Sequence, residues 1–151
     1  MAKIGALLFV CLVGLFVAQV SGKLVVKGSV YCDNCHCGFR TRVSPAIAGA
    51  KIAVRCNVKG ETQEHLYTEG VTNAQGEFQI AVEGEHAQHN CHAVALSSPT
   101  SCNIASDSME APVFLTHNNG IVSDVRVTGP FAFKSAVKHP ECTAVMNEFN
   151  Y

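Results

Sequence analysis

Short apolar segments separated by turn residues follow one another along most of the chain, and several of them alternate with polar residues. Phe78, Ile80 and Val82 are apolar, while Glu77, Gln79 and Glu83 beside them are polar. A period of two places one face of an extended strand toward a core. The predicted strands are Leu24–Cys32, Lys51–Cys56, Leu66–Val71, Glu77–Val82, Cys91–Leu96, Val113–Leu115, Ile121–Thr128 and Phe131–Lys134. They predict one all-β domain, an antiparallel β-barrel or sandwich of about seven strands.

Turn residues between the strands predict how they connect. Asn73–Gly76 predicts a hairpin between the strands on either side of it, and Asn118–Gly120 predicts a second tight turn. The polar stretch Thr100–Glu110 predicts a long loop anchored by Cys102. Gly28 lies within the first strand, where a glycine often marks a bulge.

The end of the chain has a helical period instead. Pro140 suits the first position of a helix, because that position needs no backbone N–H donor. Four residues then fall on one helical face: Cys142, Val145, Met146 and Phe149. A short C-terminal helix packed on the β domain is therefore expected.

The first 22 residues have the layout of a secretory signal peptide. Lys3 gives a basic start, Ile4–Ala18 is an apolar run, and the small residues of Val20–Gly22 follow. The run is shorter than the roughly 18 apolar residues that a spanning helix needs. We expect residues 1–22 to be a signal peptide and residues 23–151 to be a secreted domain without a membrane span.

Composition narrows the classes of function. Hydrophobic residues make up 48% of the chain, which favours a packed core over a disordered chain. The formal net charge of −1 argues against nucleic acid and anionic membrane as partners. The sequence has no nucleophile-elbow or paired-carboxylate motif for hydrolytic catalysis, and it has no phosphate-loop motif. Trp is absent and Tyr is scarce, which disfavours stacking on sugars.

Eight cysteines are many for a reducing compartment. Cys11 belongs to the predicted leader, so seven remain in the mature chain, enough for three disulfides and one unpaired thiol. They are Cys32, Cys35, Cys37, Cys56, Cys91, Cys102 and Cys142. Spacing alone does not fix their pairing.

Two groups of residues suggest chemistry. Cys32, Cys35 and His36 have the spacing of covalent haem attachment, and the same pair of cysteines could be a redox dithiol. In the second group, His86, His89 and His92 lie around Cys91, which suggests a weak metal site. This group and the cysteines at 32, 35 and 37 together also suggest a zinc site. Disulfide cysteines beside surface histidines are the simpler interpretation, so we expect no cofactor and no metal.

Gly28–Cys35, followed by Gly38–Thr41, resembles the hallmark of a plant family. The family is the Ole e I-like "pollen allergen and extensin" family, which is related to the major olive pollen allergen. Gly49–Cys56 resembles its second motif, and the similarity continues through Gly129–Phe131 to Cys142. The resemblance therefore covers essentially all of the predicted mature chain.

This resemblance implies a secreted, β-barrel-like protein built on six cysteines. The implied disulfides are Cys32–Cys102, Cys35–Cys142 and Cys56–Cys91. Cys37 departs from the family pattern and is the candidate free thiol, which His36, Arg40 and Arg42 would activate if they lie close to it. Asn119–Ile121 lacks the glycosylation signal that olive-type members carry in this turn, so no glycan is expected there.

The resemblance also implies a function. Members of the family are linked to pollen hydration, pollen-tube growth and, in some cases, receptor-kinase ectodomains. We therefore expect a non-enzymatic interaction protein of the extracellular space or cell wall. Its partner would be an extracellular protein, such as a receptor-kinase ectodomain, or a cell-wall component. The candidate contact loops are Lys59–Glu64, Glu83–Asn90 and Thr100–Glu110. The alternative is a metal- or haem-binding redox protein that uses Cys32, Cys35 and His36.

Overall fold

The computed structural model describes residues 23–149 except 118, 119 and 121. The predicted signal peptide and most of the predicted Asn118–Gly120 turn lie outside these residues. The strands are β1 (Lys23–Asp33), β2 (Lys51–Val58), β3 (Glu64–Val71), β4 (Glu77–Glu83), β5 (His89–Ser97), β6 (Ile104–Ala105), β7 (Glu110–Pro112), β8 (Val125–Val127) and β9 (Phe131–Lys134), and the helix is α1 (Cys142–Glu148). No helix in the described part of the chain is both long and apolar enough to cross a membrane.

The strands form two sheets. One has the order β4-β1-β9-β6, with β8 also paired to β1, and the other has the order β3-β2-β5-β7. Buried side chains of both sheets, such as Val26 and Phe78 from the first and Val54 and Ala93 from the second, belong to one core. The all-β prediction is confirmed, and of its two alternatives the closed barrel is wrong, because the sheets stay separate. Two strands that pair with β1, namely β8 and β9, run parallel to it.

Alternation explains which side chains fill the core. In β4 the apolar residues Phe78, Ile80 and Val82 are buried, and the polar residues between them are exposed. The Phe78 ring stacks on Phe131 of β9, with centroids 6.1 Å apart. Gly28 is required here for space, because a Cβ atom would lie 2.6 Å from Cζ of Phe78. Its pairing with β4 is continuous, so the predicted bulge is wrong.

The predicted hairpin around Asn73–Gly76 is also wrong. β3 pairs with β2, whereas β4 pairs with β1, so the turn crosses from one sheet to the other. Asn73 holds the turn, because its side-chain oxygen accepts the backbone N–H groups of Gln75 and Glu77 at 3.0 and 2.9 Å. Before it, the buried Thr72 hydroxyl donates to the carbonyl of Ile47 at 2.6 Å and ties the crossing to the rest of the fold.

Around the second predicted turn, a side chain replaces strand pairing. The predicted strand Val113–Leu115 is irregular, although Val113 and Leu115 are both buried. The strand at this point of the chain is instead β7, which ends just before Val113. The guanidinium of Arg126, which is only 4% exposed, donates to the carbonyls of Phe114 at 3.1 Å and Thr116 at 2.9 Å. These carbonyls are therefore satisfied without a neighbouring strand. Among the described residues of the predicted strand Ile121–Thr128, only those of β8 form a strand, and the predicted loop Thr100–Glu110 contains β6.

The predicted C-terminal helix is present, but it begins later and buries less. Glu141 occupies the N-cap and Cys142 is the first helical residue, so Pro140 precedes the helix. Cys142 and Val145 are buried, whereas Phe149 is 45% exposed and meets the edge of Phe39 at a centroid distance of 5.1 Å. Arg42 reinforces the docking from outside, with its Nε 3.0 Å from Glu148.

Candidate functional site

The end of β1 forms the first candidate site, because it carries the Cys32–His36 motif. Cys32 is bonded to Cys102, with a sulfur–sulfur distance of 2.02 Å. Cys35 is bonded to Cys142 at the start of α1, with a distance of 2.06 Å. The motif therefore joins β1 both to the segment that leads into β6 and to the C-terminal helix.

The third disulfide joins two neighbouring strands of the other sheet. Cys56 of β2 lies directly opposite Cys91 of β5 in the antiparallel register, and the two sulfurs are 2.08 Å apart. These three bonds are the pairs that the family resemblance implies. All six sulfurs belong to residues that are at most 7% exposed.

This pairing bears on the haem and redox hypotheses. Covalent haem attachment and dithiol exchange both require the thiols of Cys32 and Cys35, and each of these thiols is bonded to a distant cysteine instead. Nε2 of His36 donates to the carbonyl oxygen of Ser135 at 2.6 Å. In this structure the two cysteines stabilise the fold and offer no thiol pair.

Cys37 is the free cysteine of the described residues, and it is half-buried. Its sulfur lies 3.3 Å from the carbonyl oxygen of Phe39 and 3.6 Å from Oδ1 of Asp33. Burial raises the pKa of the Cys37 thiol, and the negative charge of Asp33 raises it further, although the backbone contact at Phe39 lowers it. The thiol form is therefore favoured over the reactive thiolate.

The three residues named as possible activators of Cys37 contact other groups. The Arg40 guanidinium lies over the Tyr31 ring, 5.6 Å from its centroid. Arg42 pairs with Glu148 and Glu141, and the His36 ring is bonded to Ser135. The residue that approaches the thiol is instead Asp33, which accepts the backbone N–H groups of Cys37 and Gly38 at 3.1 and 2.9 Å. Spacing in the sequence did not indicate Asp33 as a neighbour of the Cys37 thiol, because Asp33 lies before the loop whose backbone it binds.

The second candidate site is a histidine cluster, defined here as His65, His86 and His89. The rings of His65 and His89 stack with centroids 5.4 Å apart, and those of His86 and His89 lie 5.1 Å apart. Desolvation lowers the pKa of His89, and the neighbouring His86 and His65 lower it further. The neutral ring is therefore favoured.

The sequence predicted part of this cluster and missed part. His86 and His89 do lie together, but Nδ1 of the predicted third member, His92, is 4.0 Å from Oε1 of Glu110 instead. His65 was not predicted because it belongs to β3, where the pairing with β2 shifts between Cys56 and Asn57. Pairing of Leu66 with Cys56 and of Glu64 with Asn57 leaves His65 as the extra residue of this bulge.

A small cavity of about 220 Å³ lies beside the cluster. Its lining includes His86, His89, His92 and Lys59, together with Phe114 and Leu115. Among the described residues, one group of three potential ligand atoms lies within 4.8 Å of one another, and it consists of Cys56, Cys91 and a ring nitrogen of His86. Since the two sulfurs are bonded to each other, this group lacks the thiolates that a zinc site uses.

A carboxylate–histidine pair, Glu85 and His117, adjoins in sequence two residues that line the cavity, His86 and Thr116. Glu85 accepts from the backbone N–H of His117 at 3.0 Å and lies 2.8 Å from its ring Nδ1. A hydrogen bond from Thr116 is the largest cause that lowers the pKa of Glu85 to about 2, followed by the two contacts with His117. Glu85 therefore stays ionised except in strong acid.

Two of the three candidate contact loops lie next to each other. The backbone N–H of Lys59 donates to the carbonyl of Gln88 at 3.1 Å, which joins Lys59–Glu64 to Glu83–Asn90. The third loop, Thr100–Glu110, follows the opposite end of β5 and packs on β9 through Ser106, whose hydroxyl donates to the carbonyl of Ala132 at 2.5 Å. The middle of the third loop therefore lies away from the other two, whereas its last residue, Glu110, lines a pocket together with Glu64 and Asn90 of those loops.

The fold and its bonds define a class, a two-sheet β protein crosslinked by three disulfides. Comparison with known proteins then identifies the family. The family model described as "Pollen protein Ole e 1 like" matches residues 22–150, and the chain belongs to this family.

Relatives support the same assignment. Pollen allergen Sal k 5.0101 of Kali turgidum is 37% identical over 130 residues, which cover 83% of this chain and 86% of that protein. The Olee1-like protein of Betula pendula is 34% identical over 149 residues, which cover 95% and 88% of the two chains. The crystal structure of the plantain pollen allergen Pla l 1 has a similar fold, with a TM-score of 0.71 and 23% identity over 80% of this chain and all of that one.

Proposed function

We propose that this chain is exported after removal of residues 1–22 and acts outside the cell as a non-enzymatic interaction protein of pollen. The observation that carries the proposal is the combination of three buried disulfides with membership of the pollen family. Disulfides form and persist in oxidising compartments, so the buried crosslinks support export.

The shape of the domain supports a role in binding. The two sheets and their crosslinks make a rigid support, and the loops Lys59–Glu64 and Glu83–Asn90 project together from one end of the second sheet. Loops on a rigid support are the usual carriers of recognition. The proposed partner is an extracellular protein, such as a receptor-kinase ectodomain, or a cell-wall component.

Export is tested by sequencing the N-terminus of the product released from plant cells that express the full chain. The sequence should begin at Lys23 or within two residues of it. A product that retains Met1 and stays in the membrane fraction would overturn the proposal of export.

Binding is tested with the purified exported protein and extracellular fluid from pollen. Captured proteins are then purified and titrated separately, and saturable binding is expected to be lost when the charges of Lys59, Glu61 and Glu64 are reversed. Charge reversal at Asp107, which is exposed on the third loop, is the matched control. Equal binding by both variants would contradict a role for the paired loops.

A further inference from the structure

The histidine cluster brings two imidazole nitrogens together at a distance that suits a metal ion. Nδ1 of His86 lies 2.9 Å from Nδ1 of His89. Only one hydrogen can lie between these two atoms, so in the metal-free protein one nitrogen donates and the other accepts. The contact is a hydrogen bond that a cation of suitable size could replace.

The neighbouring backbone determines which ring nitrogen of His86 carries the hydrogen. Nε2 of His86 is 2.9 Å from the carbonyl oxygen of Glu83, and a carbonyl oxygen can only accept, so Nε2 carries the hydrogen. In the neutral ring Nδ1 of His86 therefore carries the lone pair that accepts the hydrogen of His89 Nδ1, and a cation that displaces this hydrogen could bind it. A histidine that binds a metal through one nitrogen commonly donates its other N–H to a carbonyl in this way.

Both histidines are held by backbone contacts. The N–H of His86 donates to the carbonyl of Leu115 at 2.9 Å, and the N–H of His89 donates to the carbonyl of His86 at 3.0 Å. The His89 ring is further fixed by stacking on His65. Gly84 precedes the pair with a φ of 91°, a conformation that a residue with a side chain rarely adopts. Two residues that the backbone already holds close together lose less conformational entropy on binding than residues on mobile segments do.

We propose that His86 and His89 form a binding site for Cu²⁺, with Nδ1 of each ring as a ligand. For metal–nitrogen bonds of about 2.0–2.1 Å, a separation of 2.9 Å between the nitrogens corresponds to an angle of about 90° at the metal. That angle is typical of the tetragonal geometry of Cu²⁺, whereas the tetrahedral geometry of Zn²⁺ needs a wider separation.

Two further features favour copper over other divalent ions. Affinity for nitrogen ligands is highest for Cu²⁺ among the first-row divalent metals. The adjoining cavity leaves room for water molecules in the remaining coordination positions. When the ion binds, the neutral His89 ring carries its hydrogen on Nε2 instead of Nδ1, so the step needs no oxidant or reductant. Lys59 lines the same cavity, and its positive charge opposes binding of a cation. We therefore expect an affinity in the micromolar range.

This proposal is independent of the proposed function, and Cu²⁺ titration tests it directly. The full chain is expressed without a histidine tag, purified in its disulfide-bonded form and titrated with Cu²⁺ at neutral pH in a buffer that does not bind metals. One ion per chain should bind, and its electron paramagnetic resonance spectrum should show nitrogen hyperfine coupling from imidazole. Zn²⁺ should bind more weakly.

Substitution identifies the ligands. His86→Gln and His89→Gln should each weaken Cu²⁺ binding by about tenfold or more. The matched control is His92→Gln, because this histidine is on the same strand as His89 but lies against Glu110. Circular dichroism and mapping of the three disulfides verify that each variant is folded. The proposal is overturned if neither His86→Gln nor His89→Gln weakens binding, or if His92→Gln weakens it as much as they do. It is also overturned if the folded wild type does not bind Cu²⁺ at about 100 µM.

Discussion

Two ends of the molecule contain both cysteine and histidine, and they use them in opposite ways. At the end of β1, the compact motif Cys32–His36 is tied into two disulfides, and its histidine is bonded to a carbonyl. At the end of the second sheet, His65 of β3 meets His86 and His89, which are three residues apart in the chain, beside one disulfide. The cysteines of the motif with the more suggestive spacing thus have the structural role, and the histidine cluster contains the pair that we propose as a metal site.

The contrast has a physical origin in the chain's topology. A short motif keeps its residues near one another in any fold, so spacing says little about what those residues contact. Residues far apart in sequence meet only if the sheets bring them together, as the pairing of β2 with both β3 and β5 does for His65 and His89. A cluster of this second kind depends on the register of the strands, including the bulge that leaves His65 without a paired residue.

The largest effect is expected from breaking the disulfide beside the histidine cluster. Cys56→Ser removes a bond between two core residues that are 0% and 5% exposed and leaves a hydroxyl and a thiol in the core. We expect the free energy of unfolding to fall by about 2–5 kcal/mol. Denaturant unfolding of the oxidised protein measures it. Cys37→Ser is the control and should change stability by less than about 0.5 kcal/mol. Unchanged stability of Cys56→Ser would contradict the Cys56–Cys91 bond.

The second-largest effect tests whether the end of β1, which carries the Cys32–His36 motif, has a structural role. Asp33 is 3% exposed and accepts two backbone N–H groups of the loop that follows it. Asp33→Ala would leave both donors without this partner, so we expect a loss of about 1–3 kcal/mol in denaturant unfolding. Asp107→Ala changes an exposed aspartate that lines the same pocket as Asp33, and it should have little effect. Equal stability of the two variants would show that Asp33 does not hold the loop.

The sequence predicted the fold where one local rule decided the structure. Alternation located the buried face of β4, and helical spacing located α1. It failed where distant residues decided. The carbonyls of Phe114 and Thr116 accept hydrogen bonds from Arg126 and not from a neighbouring strand. The sheet to which β3 belongs is set by its pairing with β2, and no local pattern in the sequence reveals that pairing. For the same reason spacing found His86 and His89 but placed His92 with them and omitted His65.

A smaller effect concerns the reactivity of Cys37. In the protein without residues 1–22, one thiol should react with a thiol reagent under non-reducing denaturation, because the other six described cysteines are paired. In the native protein the reaction should be several-fold slower at neutral pH, since burial and Asp33 raise the pKa of the thiol. Asp33→Asn should accelerate it by removing the negative charge. Peptide mapping that finds Cys37 in an intrachain bond would contradict the assignment of the free thiol.

The smallest effect is a pH dependence confined to the histidine end. The pKa of His89 is lowered from its ordinary value of 6.5 by desolvation and by the neighbouring His86 and His65. A histidine with a lowered pKa in the folded state binds its proton less readily there than in the unfolded chain. Its contribution to stability is therefore complete above the unfolded pKa of 6.5 and is lost as the pH falls through the folded pKa.

Thermal unfolding of the wild type and of His89→Gln at about pH 7.5 and about pH 5.5 measures this contribution. The wild type should lose more stability on acidification than His89→Gln does, whereas His92→Gln should behave as the wild type. If His89→Gln shows the same pH dependence as the wild type, the cluster does not resist protonation and the contrast between the two ends disappears.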